Sequence, residues 1–255
     1  MNTLGQQSNV LVVGATGAIG AAFVRRLANQ VGVQRVWAAS RQVHSPVMQA
    51  LVEACGDTVV PISVELTDPS SIQAMAARIA EETPCLHLLI NAFGILHDDE
   101  AGIRPEKRLE DLSAEGLLAN YQINAMAPAL IGRHCLGLLN HKDRAVFASL
   151  SARVGSITDN SLGGWYAYRM SKAAQNMFTR GMAIECARRA RRVICLALHP
   201  GTTDSALSAP FQSRVPTGKL FTPDFVAEQL LAHIDRAQPE DSGRFIAWDG
   251  QSIPW

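Results

Sequence analysis

The sequence predicts an α/β chain with a doubly wound, seven-stranded parallel sheet and helices on both faces. Three observations predict it. Short apolar, β-branched runs alternate with helical patterns along the whole chain. The first such run opens directly into a glycine-rich turn and a helix. The chain's 255 residues, 47% of them hydrophobic, suffice for one sizeable core, so residues 1–255 are expected to form a single domain.

Val10-Leu11-Val12-Val13 is the first strand, and Gly14-Ala15-Thr16-Gly17-Ala18-Ile19-Gly20 follows it into a helix over residues 21–30. Glycines at a strand end let the backbone approach a pyrophosphate, and a helix start offers free N–H groups and a positive dipole end. Gly14, Thr16, Gly17, Ala18, Ile19 and Gly20 are therefore candidate dinucleotide contacts; an ordinary glycine-rich turn is the alternative. Residues 34–39 form the second strand, ending at Ser40 and Arg41. An acid at this point receives a free ribose 2′-hydroxyl, whereas an arginine suits a 2′-phosphate, which favours NADP(H) over NAD(H); an arginine solvated in a loop is the alternative.

The third strand spans residues 58–65 and ends in Glu65-Leu66, with Thr67-Asp68-Pro69 capping the next helix. Residues 86–90 give the fourth, leading into Asn91-Ala92-Phe93-Gly94, where small residues let a cofactor lie against the backbone. His97-Asp98-Asp99-Glu100 lacks a second histidine at ligand spacing and reads as a solvated capping loop, so no metal is expected. A long helical segment over residues 109–139 carries Asn124 among apolar neighbours, and Pro128 is expected to bend it. That asparagine is either satisfied by backbone or holds a water.

Residues 144–151 are the fifth strand, followed by Ala152-Arg153-Val154-Gly155 and a polar loop. Tyr168 and Lys172 then stand four apart at the head of a helical pattern, on one face. An ammonium beside a phenol favours the phenolate, which suits proton exchange with a substrate oxygen; a solvated helix face is the plainer reading of the same spacing. The sixth strand, residues 193–198, ends at His199-Pro200-Gly201. An irregular, proline-containing stretch with Leu207 and Phe211 has the composition of an ordered lid, over about residues 200–222. Residues 224–237 form the last helix and 243–247 the seventh strand, and the tail 248–255 is apolar enough to pack.

Lys plus Arg and Asp plus Glu each number 23, so no global field draws the chain onto nucleic acid or an anionic membrane. Five widely spaced cysteines read as thiols of a reducing compartment. The polar residues 1–9 lack a charged signal region, and no apolar run reaches the roughly 18 residues of a membrane span. A cytoplasmic protein with a small-molecule ligand is expected.

With the loop from Gly14 to Gly20, Asn91 to Gly94, Asn124, Ser151, Tyr168, Lys172 and Pro200-Gly201 taken together, the chain resembles the short-chain dehydrogenase/reductase family over nearly its whole length. It is most similar to the C-factor-like and sniffer-like carbonyl reductase branch, through Gly163-Gly164-Trp165-Tyr166-Ala167-Tyr168-Arg169 and Gly243-Arg244-Phe245 to Trp248-Asp249-Gly250. The resemblance implies a single NAD(P)-binding Rossmann domain that reduces a ketone or aldehyde to an alcohol. Tyr168 becomes the proton donor, Lys172 the residue that lowers its pKa and bonds the nicotinamide ribose, and Asn124 the holder of a relay water. Glu65 and Leu66 line the adenine, Asn91, Ala92, Phe93 and Gly94 the ribose side, and Pro200, Gly201 and Thr203 the carboxamide. Trp165, Phe93, Ile95, Leu207 and Phe211 offer an apolar pocket or ordinary core packing.

Two features depart from the family's pattern. The glycines are spaced Gly-x-x-Gly-x-x-Gly, as in longer relatives, which bears on the path of the loop. Ala152 stands where the family's Ser-x-x-Gly pattern has the serine that polarises the substrate oxygen; Ser151, one residue earlier, serves only if the strand end bulges or its loop is one residue longer. A cofactor-binding regulatory or C-factor-like signalling protein is the alternative function. By the same resemblance, the long helices near residues 109–139 and 168–189 pair copies into a homodimer or homotetramer.

Overall fold

Strands form where aliphatic residues are covered on both sides. In the computed structural model, which describes residues 4–5 and 7–255, β1 Ser8–Val13 and β5 Ala145–Leu150 are buried at every position, as parallel strands between two helical layers must be. The remaining elements are α1 Ala18–Ala28, β2 Val33–Ser40, α2 Pro46–Cys55, β3 Val59–Ser63, α3 Pro69–Glu82, β4 Leu88–Asn91, α4 Ala114–Tyr121, α5 Ala127–Leu139, α6 Tyr166–Arg189, β6 Val193–His199, the two-residue β7 Thr202–Thr203 and β8 Leu220–Phe221, α7 Pro223–Arg236 and β9 Arg244–Ala247. Residues 1–3 and 6 of the polar start lie outside the described residues.

Seven of the described strands make one parallel sheet in the order β3-β2-β1-β4-β5-β6-β9. Alternation along β1 divides the core: Val10 and Val12 face Phe23, Leu27 and Leu230, while Leu11 and Val13 face Ile72, Ile79 and Ile131. Helices α1, α2 and α7 cover the first face, and α3, α5 and α6 the second. The winding direction reverses between β1 and β4, which opens a crevice at their carboxyl ends.

Local chemistry sets the helix starts. Asp68 accepts from Ser70 N–H at 2.8 Å with Pro69 in the first turn of α3, as expected. Helix α2, absent from the sequence expectations, begins the same way, at Ser45 followed by Pro46. The helix expected over residues 109–139 is instead broken: a 3-10 turn at Leu109–Asp111, then α4, then a π-helical turn Gln122–Met126 that hands over to α5. Pro128 has no N–H for the carbonyl of Asn124, four residues back, and the ladder widens so that Ala127 N–H reaches Gln122 O.

The predicted lid is closed at its base, where β7 pairs with β8, and contains a 3-10 turn at Ala209–Arg214. The tail packs: Trp255 stacks on Phe245, and its carbonyl accepts from Thr158 N–H and Oγ1. Among the described residues no helix is long and apolar enough to cross a membrane.

Candidate active site

The crevice is walled by the exits of β1 and β4. Gly14 has φ +86°, and a Cβ there would lie 2.8 Å from Ala92 O; a Cβ at Gly20 would lie 2.0 Å from Gly14 O. Only glycine lets these three segments meet. Gly17 caps α1 without a side chain, and the first turn holds no acid, so the N–H groups of Ala18, Ile19 and Gly20 are open to an anion. Thr16 Oγ1 lies 2.7 Å from Ser40 Oγ, tying the loop to the end of β2. Beside it Arg41 is exposed and forms no ion pair among the described residues. Glu65 bonds Thr67, and Leu66 is half-buried next to it. Asn91 donates to Ser149 Oγ at 2.9 Å, while its Oδ1 is buried with no partner; Thr203 Oγ1 is likewise buried and unpartnered. A glycine cradle, an uncapped helix start, a free guanidinium and two idle buried oxygens fit a phosphorylated nucleotide.

The catalytic candidates converge on the rim of this crevice. Lys172 lies one turn beyond Tyr168 on α6, its Nζ 5.8 Å from the phenol ring centroid and donating to Leu150 O at 2.8 Å and Gln175 Oε1 at 2.9 Å. Gly94 faces both partners expected here: a Cβ on it would lie 3.1 Å from Asn124 Oδ1 and 3.4 Å from Lys172 Nζ. Burial dominates the electrostatics. It pushes the Lys172 ammonium down to about 7 and raises the Tyr168 phenol above its usual range, the reverse of the depressed phenol expected from the spacing. The loss of water around a buried phenolate outweighs an amine that is itself only partly charged near neutrality.

Asn124 is fully engaged by protein. Its Oδ1 accepts from Ile95 N–H at 2.8 Å, and its Nδ2 donates to Ile95 O, Asn120 Oδ1 and Ser171 Oγ. The side chain therefore clamps the π-turn to α6 and to the β4 exit, with its amide protons committed to protein acceptors. Ser151, expected as the polarising hydroxyl, spends its single proton on Asn176 Oδ1 at 2.6 Å. The reason is strand parity: β5 pairs with β6 without a register shift through Leu150, so Ser151 keeps pointing at α6 one turn below Lys172. Ala152 heads the turn Arg153–Gly155, which rests on α6 so closely that a Cβ on Gly155 would lie 2.8 Å from Lys172 Cβ.

An aromatic wall stands beside the phenol. The Trp165 ring centroid is 6.5 Å from that of Tyr168 and 5.0 Å from that of Phe211 in the lid, and His97 packs edge-on against Phe211. His97 Nε2 also lies 3.2 Å from Leu207 O, so the loop expected to be merely solvated is bonded to the lid. Phe93 packs instead against the core on the α3, α5 and α6 face, and Ile95 acts through its backbone on Asn124. Trp165 holds a left-handed backbone, φ 51°, directly after two positive-φ glycines. Unable to cap α6 with its own side chain, it is relieved by buried Glu106, whose carbonyl accepts Trp165 N–H and whose carboxylate accepts Ala167 N–H. Glu106, Gln175 and Asn176 were not singled out from the sequence. For the last two a signal existed, since they stand three and four residues after Lys172 on the face that α6 buries.

Among the described residues one group of possible metal ligands lies elsewhere, just before β4 and just after α5: Cys85, His87 and His141, with ligand atoms within 4.8 Å of one another. His87 Nδ1 accepts from Asn9 N–H, and both nitrogens of His141 face backbone groups, Leu86 O and Asp143 N–H. The imidazole lone pairs are thus in use, and the trio fastens chain segments at the amino-terminal edge of the sheet.

Residues 8–215 match the short chain dehydrogenase family. A 1-hydroxy-2-glutathionyl-2-methyl-3-butene dehydrogenase of Rhodococcus sp. (strain AD45) is 32% identical over 248 residues, covering 97% of this chain and all of that protein. C-signal of Myxococcus xanthus is 34% identical over 147 residues, 58% of this chain and 83% of that one. Among solved structures, an NADPH-bound carbonyl reductase from chicken fatty liver superposes with a TM-score of 0.85 at 28% identity, over 100% of this chain and 97% of that chain.

Proposed function

The chain belongs to the short chain dehydrogenase family, and from that premise we propose that it is an NADP(H)-dependent reductase of ketones or aldehydes with Tyr168 as the general acid. One observation carries the reading: the β4 exit, a wall of the nucleotide cradle, closes through Gly94 onto Lys172, one turn from Tyr168. Gly14, Thr16, Gly17, Ala18, Ile19 and Gly20 hold the pyrophosphate, Ser40 and Arg41 the 2′-phosphate, Glu65 and Leu66 the adenine. Asn91, Ala92, Phe93 and Gly94 line the ribose side, Tyr168 and Lys172 the nicotinamide ribose, and Pro200, Gly201 and Thr203 the carboxamide. When bound, the cofactor supplies a hydride.

The raised phenol suits this direction of reaction. A buried Tyr168 keeps its proton through neutral pH and gives it up only to an oxygen gaining negative charge, as a general acid for reduction must. Lys172, close to half-charged near neutrality, restores that charge balance from the adjacent turn. Asn124 acts by fixing the π-turn; its main-chain carbonyl, denied a donor by Pro128, is the group that holds the relay water. Trp165 and Phe211 exclude water and favour apolar substrates, with residues 200–222 as the lid.

The test is stopped-flow mixing with NADPH, then NADH, and a panel of aldehydes and ketones. Tyr168→Phe is expected to retain NADPH binding and lose about 10²–10⁴-fold in turnover. Binding without reduction of any carbonyl, and a silent Tyr168→Phe, sinks the reading. Ala152 and the similarity to C-signal favour a second one, a cofactor-binding signalling protein, for which NADPH-dependent capture of a protein partner replaces turnover.

The same proposal includes a cytoplasmic location, which suits five free thiols. It also includes a homodimer built on α4 and α6, where Leu118, Tyr121, Met170, Met177 and Ile184 are exposed. Met170, Met177 and Ile184 recur every seven residues and so form one stripe along α6.

A further inference from the structure

The family's Ser-x-x-Gly pattern has a second hydrogen-bond donor to the carbonyl oxygen at the position of Ala152, which carries no hydroxyl. The neighbouring hydroxyls do not replace it, because Ser151 donates to Asn176 and Ser149, which accepts from Asn91, is fully buried inside β5. We propose that His199 is a catalytic residue that donates its Nε2–H to the substrate oxygen in the place left by Ala152; this rests on the reductase reading above.

Four observations lead there. Arg153 N–H, in the residue immediately after Ala152, points at His199 Nδ1 at 3.3 Å, so the imidazole lies against the turn that Ala152 heads. Because Nδ1 accepts that bond, the neutral ring carries its proton on Nε2. Nε2 has no hydrogen-bond partner among the described residues and is not among their sealed, unsatisfied atoms, so the half-buried ring keeps this nitrogen partly accessible. Strand parity puts His199 on the same sheet face as Cys195, whose thiol meets Cys186 of α6, the helix that carries Tyr168 and Lys172. The adjoining rung is close at hand: Ser151 N–H bonds Leu198 O, and Lys172 Nζ bonds Leu150 O.

The ring also stays neutral. Burial first, and then the Arg153 guanidinium, hold it down to about 4 against the opposing pull of Asp249 and Asp159. It is therefore a permanent N–H donor across the neutral range and keeps its proton throughout, the proton delivered to oxygen coming from Tyr168.

His199→Leu is expected to bind NADPH like the parent but to lose about 10²-fold or more in kcat, with little change in KM. The decisive readout is Ala152→Ser made in both backgrounds: it should restore at least about tenfold in His199→Leu and change the parent by less than about threefold. His199→Gln, whose amide nitrogen reaches the Nε2 position, should stay active, and His199→Asn should not. A parent that reduces carbonyls while His199→Leu matches it, or an Ala152→Ser effect equal in both backgrounds, overturns the role of His199 alone. If His199→Leu fails to bind NADPH, the Gln and Asn variants decide, and equal rates for these two overturn it. A parent that reduces no carbonyl overturns the reductase reading, and this role with it.

Discussion

Lys172 shows how burial changes the chemistry that spacing suggests. Its folded pKa, about 7, lies below the 10.5 of an exposed lysine. Between those values the unfolded chain binds a proton that the folded chain does not, so this residue makes stability rise with pH across that window; below it, folding bears the full cost of a buried charge. Lys172→Met removes that cost. The stability of the parent relative to this variant should therefore improve between about pH 6.5 and about pH 9, read from urea midpoints. A gap that does not move with pH contradicts the buried-ammonium account. The pair itself was legible in the sequence, since four residues on a helix define one face. The direction of the phenol shift was not, because desolvation depends on what α4, the lid and β5 place around it.

At the scale of elements, the nucleotide cradle is a junction of three backbones. A Cβ at position 20 would collide with Gly14 O, and since the main chain fixes both atoms no rotamer change relieves it. Gly20→Ala is expected to cost about 1–3 kcal/mol by overpacking and to weaken NADPH binding with it, measured by thermal midpoint and fluorescence titration. An alanine variant that binds NADPH like the parent contradicts the close approach. The glycine loop was readable because only glycine tolerates such geometry, and the order strand, loop, helix is local. The start of α6 was not readable in the same way. Its cap comes from Glu106, about sixty residues earlier, and Trp165 sits in a left-handed conformation that its type disfavours. The break at residues 122–126 falls between these cases: Pro128 announced a disturbance, but only packing turned it into a π-turn that seats Asn124.

For the whole molecule, the exposed apolar stripe of α6 is the surface on which the proposed pairing of copies rests. Met177 is 74% exposed, so a glutamate there costs the monomer fold little. If copies pair through this face, Met177→Glu should halve the mass seen by light scattering and leave NADPH binding unchanged. A parent that is already monomeric, or a variant of unaltered mass, removes the dimer.

The sequence by itself determined the class of fold, the seven strands and their order along the chain, the glycine cradle, and Tyr168 with Lys172 as neighbours. Each of these rests on periodicity, on steric demands of glycine and proline, or on contacts within one helical turn. Tertiary structure alone decided that Ser151 faces Asn176 and not the crevice, that Glu106 caps α6, and that His199 lies against the turn headed by Ala152. These depend on the register of β5 on β6 and on how loops from distant parts of the chain meet at the carboxyl edge of the sheet. No local rule encodes such meetings, because a shift of one residue in register turns every side chain to the opposite face.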